Sequence, residues 1–212
     1  MARPELATKI DALMGGLAAD LARLTRLPSG AGSAGPPRQR LVPRAHDLFV
    51  ELLRAAGVQS IRDLTRPGGN PQLTGSIRPP TPEAPTVLLY AGYDMRTPGE
   101  PPAPEPLLVH LGTLRVFDGR PPVGVEIVFE GQEIPIGPAA EPPAAAPQRP
   151  EDYDCDAMVY HPRVAIGCDG RDGRDGREAH GPHSALTELR GAVLAEARFL
   201  EHYAADFARV SR

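Results

Sequence analysis

Two apolar, β-prone runs constrain this chain more than anything else in it: Thr86 to Tyr90 (TVLLY) and Gly124 to Phe129 (GVEIVF). The first has no strongly polar position inside it, the pattern of a strand covered on both faces. Covered strands need helices to cover them, and the sequence supplies these. From Pro4 to Leu27, Leu6, Ile10, Leu13, Leu17, Leu21 and Leu24 recur at helical spacing, and Pro28 ends the run. Leu41 to Ala56 repeats the period and is closed by Gly57; Leu107 to Phe117 is a shorter helix; Ala185 to Val210 is a long amphipathic one. Helices alternating with covered strands predict an α/β fold, a central mixed or mostly parallel sheet flanked by helices.

Shorter strands are predicted at Gln59 to Thr65 and Gln72 to Arg78, on either side of the turn-rich stretch Pro67 to Pro71, and at Ala157 to Tyr160. Thr97 to Pro106 and Pro135 to Pro150 are too rich in proline for sheet or helix and read as loops. Gly167, Gly170, Gly173 and Gly176 open four successive triplets without proline. Four such triplets cannot hold a collagen triple helix, so residues 167 to 179 read as a solvated Gly-Arg-Asp linker.

At 212 residues one core is the default, and burial at this size removes about 70% of the unfolded surface. The 26 prolines and 22 glycines, with Lys9 as the only lysine, are the usage of a high-GC bacterial genome. Net charge is −4 and the arginines alternate with acidic residues, which argues against nucleic acid as a partner. No run approaches the roughly 18 apolar residues that span a membrane, and the N-terminus lacks the apolar segment of a leader. The expectation is a cytoplasmic protein, with Cys155 and Cys168 as free thiols.

Several segments, in order, resemble the family of zinc exopeptidases that contains acetylornithine deacetylase, the aminoacylases and the carnosine-type dipeptidases. TVLLYAGYDMRTP is similar to that family's LLYGHYDVQP segment, and VGVEIVFEGQEIPIG to its FEGEEEIGS segment. AHGPHSALTELRGAVLAEARFL is similar to its closing segment, and LARLTRLPS, LLRAAGVQS and HLGTLRVF follow family elements in the right order. The resemblance implies a catalytic domain in which two zinc ions, about 3.5–4 Å apart, activate a bridging water against an amide.

The ligands that chemistry needs are largely missing. Gly92 stands where the resemblance calls for the first histidine ligand, and the segment that carries the bridging aspartate is absent before Leu107. Glu133 matches the general base, but Ile134 stands at the adjacent glutamate ligand, and an alkyl group cannot bind zinc. The later aspartate ligand falls at His161 or Pro162, while Asp94 matches the residue that orients the first histidine and His180 keeps a ligand identity. The linker at residues 167 to 179 takes the place of the family's lid and dimerisation domain. No bound metal and no cofactor is therefore expected.

Asp94, Glu133 and His180 are the candidate site residues. The resemblance places them together at the ends of strands, where open sheets bind ligands. Two readings stay open: a metal-free acid/base trio, or relics held by local hydrogen bonds. His46 and His110 read as surface or satisfied core groups, and His183 as a solvent-facing helix start. Asp169, Asp172, Asp175 and Glu178 lack the spacing of a calcium loop, and neither cysteine has a nucleophile's motif around it. The expected function is a non-hydrolytic subunit of a heteromeric biosynthetic complex. Its expected partner is a protein, a related metallopeptidase-like chain among the options, and its substrate class is amino-acid-derived or carrier-bound. The alternative is a metal-independent enzyme using Asp94, Glu133 or His180.

Overall fold

The two covered runs become adjacent parallel strands. The computed structural model describes residues 4–26, 38–64, 72–92, 105–130, 154–160 and 182–211. In chain order the elements are α1 (Pro4–Thr25), α2 (Arg38–Ala55), β1 (Arg62–Asp63), β2 (Gln72–Ile77), β3 (Thr86–Gly92), α3 (Glu105–Val116), β4 (Gly124–Glu130), β5 (Ala157–Tyr160) and α4 (Pro182–Val210). Parallel neighbours need a crossover, and the connection carrying α3 joins β3 to β4. The sheet order is β1-β2-β4-β3-β5. β3 pairs in parallel with β4 and β5, while β2 runs antiparallel to both β4 and β1. This is a mixed sheet in an α/β fold.

Alternation along the strands divides the buried side chains between two faces. Leu73 and Ile77 of β2, Val87, Leu89 and Ala91 of β3, and Val125, Ile127 and Phe129 of β4 share one core with side chains from all four helices. Leu88, Tyr90 and Val128 point the other way and cluster with Cys155, Met158 and Tyr160. Both sets in β3 are buried, which explains a strand with no polar alternation.

One element is shorter than its sequence pattern. Of the strand expected at Gln59 to Thr65, the last residue lies outside the described residues, and among the others only the two exposed residues of β1 are in strand. Val58 is spent closing α2: its N–H bonds the Leu53 carbonyl while that of Gly57 bonds Arg54, a Schellman cap with Gly57 at φ 88°. α3 ends in the same motif, with Asp118 at φ 53° and Gly119 bonded back to Leu114. No described helix is long and apolar enough to cross a membrane.

Candidate functional site

The parallel ladder sets Gly92, the last residue of β3, opposite Glu130, the last residue of β4. The chain thus leaves both strands at one end of the sheet, two residues before Asp94 and three before Glu133. α4 brings a third segment towards that end. The Tyr203 hydroxyl of α4 donates to the Asp156 carbonyl at 3.1 Å, and Asp156 is bonded through backbone and side chain to Thr86, at the start of β3. Glu196, earlier in α4, is engaged near Tyr90, close to the end of β3. α4 therefore runs against β3, and Pro182 lies roughly 20 Å of helix before Glu196 at 1.5 Å per residue, towards the ends of the parallel strands. Asp94, Glu133 and His180 themselves, like His161, Ile134, Cys168 and the linker at 167 to 179, lie outside the described residues.

Gly92 is described, and it does not fit a zinc site. A residue without a side chain cannot supply the imidazole that the resemblance puts there. Among the described residues, no three His, Cys, Asp or Glu side chains converge as a metal site requires.

One polar group buried in the core contacts β3 close to this end of the sheet, His110. It sits on α3 and is fully buried, as is its partner Glu196. Nδ1 lies 3.0 and 2.9 Å from the two carboxylate oxygens of Glu196. Nε2 lies 3.0 Å from the Tyr90 carbonyl. Burial alone pulls the imidazole pKa down, but the Glu196 charge, its hydrogen bond and the Tyr90 carbonyl outweigh this and leave it above the ordinary histidine value of 6.5. Of the two readings of His110, surface or satisfied core group, the structure shows the second. Glu196 is the residue that sequence reasoning passed over. Its signal was a carboxylate set between Leu189, Val193, Ala197 and Leu200 on the stripe that α4 buries.

Other polar groups serve the packing of helices. Arg115 of α3 donates to Asp20 of α1 at 2.6 Å, and Arg23 links α1 to Glu51 of α2 at 2.7 Å. Arg190 of α4 pairs with Asp11 of α1. His46 is partly buried, with Asp63 3.1 Å from its Nε2 in poor hydrogen-bond geometry. Cys155 is a free thiol beside β5; burial pushes its pKa up, and the Asp156 and Asp154 charges add to this.

No family model matches the sequence, and none of the curated proteins does. Solved structures share part of the fold. The dipeptidase Dug1p from Saccharomyces cerevisiae is 19% identical with a TM-score of 0.47, the match covering 60% of this chain and 34% of that one. Human carnosine dipeptidase 1 is 15% identical with a TM-score of 0.46, again over 60% and 34%. The glutaminyl cyclase of Porphyromonas gingivalis is 18% identical with a TM-score of 0.40, over 56% of this chain and 47% of that one. The chain spans about a third of the length of the two dipeptidases.

Proposed function

We propose that this chain is a non-hydrolytic subunit of a heteromeric biosynthetic enzyme complex, a peptidase-like domain that stabilises or completes a partner's active site. The substrate class is an amino-acid-derived or carrier-protein-bound intermediate. The observation that carries the reading is the end of β3: Gly92 occupies the strand-end position beside Glu130 at which the resemblance requires an imidazole. A metal-bound water has no support there, so hydrolysis would fall to another chain.

The surface of α4 supports a protein partner. Leu189, Val193, Ala197 and Leu200 are used up in the core, yet Phe199 stays 38% exposed and Val210 88% exposed. Phe199 stacks on Tyr203 at 5.5 Å, and Tyr203 meets Phe207 at 6.3 Å, extending an aromatic row along the helix. Sedimentation of the chain, alone and co-expressed with the products of adjacent genes, tests the reading. A larger species held by an interface above roughly 1,000 Å² is expected. A monomer in both conditions at micromolar concentration would remove it.

A second reading draws on the same strand ends. The segments that carry Asp94 and Glu133 leave β3 and β4 side by side, so a metal-independent transferase, lyase or cyclisation step using Asp94, Glu133 or His180 as acid or base is the alternative. Alanine at each of the three separates the readings, since turnover that survives all three replacements excludes it.

A further inference from the structure

The sheet order constrains the route by which the chain passes from β4 to β5. β3 leads through α3 into β4, its neighbour on one side, and α3 packs on the face that carries Val87, Leu89 and Ala91. β4 then leads to β5, which lies on the other side of β3 and runs parallel to it. Crossovers between parallel strands of one sheet are right-handed in about 98% of cases. Two connections of the same hand that step along a sheet in opposite directions pass over opposite faces. A right-handed connection from β4 to β5 therefore crosses the face turned away from α3.

The burial of that second face is an independent observation. Leu88 and Val128 are 0% exposed there and Tyr90 4%. Their ladder neighbours, Glu126 and Met158 beside Leu88 and Thr74 and Tyr90 beside Val128, shield the flanks of these side chains and not their outward tips. Among the described residues, no hydrophobic side chain of a helix joins this cluster, while all four helices contribute to the cluster on the other face.

We propose that residues 131–153 run across this second face and form the layer over Leu88, Tyr90 and Val128. The length suffices, because the return covers roughly the seven residues of β4, about 23 Å at 3.3 Å per residue, and the connection has more than three times as many residues. Its chemistry suits an apolar patch. The six prolines from Pro135 to Pro150 have no N–H to satisfy, and Ala139, Ala140, Ala144, Ala145 and Ala146 add small apolar surface. The placement holds whether or not a partner chain binds. If one does, the helical side, where Phe199 is exposed, is what remains for it.

A nitroxide on Ala145→Cys in the full chain, with Cys155→Ser and Cys168→Ser, tests the route by methyl NMR. Several-fold stronger paramagnetic relaxation is expected at the Leu88, Val128 and Met158 methyls than at Leu13 and Met14 of α1 and Leu194 of α4. The reverse order, or equal effects on the two sets, overturns the proposal. Should the labelled variant fail to fold, the wild-type chain decides. Cross-peaks between alanine methyls of residues 139–146 and the methyls of Leu88, Val128 or Met158 are expected in its nuclear Overhauser spectrum, and their absence overturns the proposal as well.

Discussion

A Cβ placed on Gly57 would stand 2.6 Å from the Cα of Gly119, so the turn that closes α2 rests directly on the backbone of the turn that closes α3. Both glycines have positive φ, 88° and 69°. Gly57→Ala or Gly119→Ala therefore meets two penalties, left-handed backbone strain and a backbone clash that no rotamer can relieve. Each is expected to cost about 2–4 kcal/mol, read as a lower denaturation midpoint in urea. A change under about 0.5 kcal/mol, the size of an ordinary surface substitution, would show that the two turns are not in contact.

Gly112 should behave differently from an ordinary helical glycine. Alanine in a helix usually stabilises by about 1 kcal/mol over glycine, but here its Cβ would meet Val193 at 2.8 Å and Leu17 at 3.1 Å. Gly112→Ala is expected to destabilise by about 1–3 kcal/mol through overpacking. Gly112→Ala combined with Val193→Ala should recover part of the loss in thermal melts.

Breaking the His110–Glu196 pair from one side removes a charge-assisted contact from a side chain that has no solvent exposure. His110→Ala or Glu196→Ala is expected to cost about 3–5 kcal/mol. Replacing both by apolar groups, His110→Phe with Glu196→Met, should cost less than either alanine variant. The pH dependence has a definite sign. The folded pKa of His110 is raised above 6.5, so its contribution is complete below that value and is lost as pH rises through the folded pKa. Urea midpoints measured from pH 6 to pH 10 should fall in the wild type and stay flatter in the apolar double variant.

Cys155 is expected to react slowly with thiol reagents at neutral pH. Burial raises its pKa, with Asp156 and Asp154 adding to the shift, and the thiolate is the reactive form. In a Cys168→Ser background, Cys155 should label several-fold more slowly than free cysteine at pH 7. Asp154→Asn should accelerate it. Labelling at the rate of a free thiol would contradict the described setting.

The proposed loss of zinc chemistry carries its own measurement. A bound metal stabilises the fold it binds through linkage, and glycine at position 92 removes a ligand the resemblance requires. A chelator is expected to leave the Tm of the purified chain unchanged. A drop of several degrees, with zinc near one equivalent per chain, would revive a metal site.

What the sequence determined by itself was local. Val87, Leu88, Leu89 and Tyr90 marked a doubly covered strand because burial on both faces leaves no polar alternation, and Ile10, Leu17 and Leu24 marked α1 because a helix repeats its face every 3.6 residues. Gly57 marked its cap for the same reason: few residues tolerate that backbone. The pattern at Gln59 to Thr65 marked a segment that lies along β2, with Gln59 N–H bonded to the Ser76 carbonyl and Leu64 N–H to that of Gln72, although only Arg62 and Asp63 form the ladder. Only the tertiary structure decided that β2 would run against β4 while β3 ran with it, and that β3 would lie between β4 and β5. Sequence reasoning read Gly92 as a lost ligand, but its seat opposite Glu130 belongs to the register of two strands joined through a helix. Glu196 looked like one more charged residue on an amphipathic helix. It became half of a buried pair because the closing of the fold carried it to His110, 86 residues away in the chain, and a partner that distant leaves no periodicity to read.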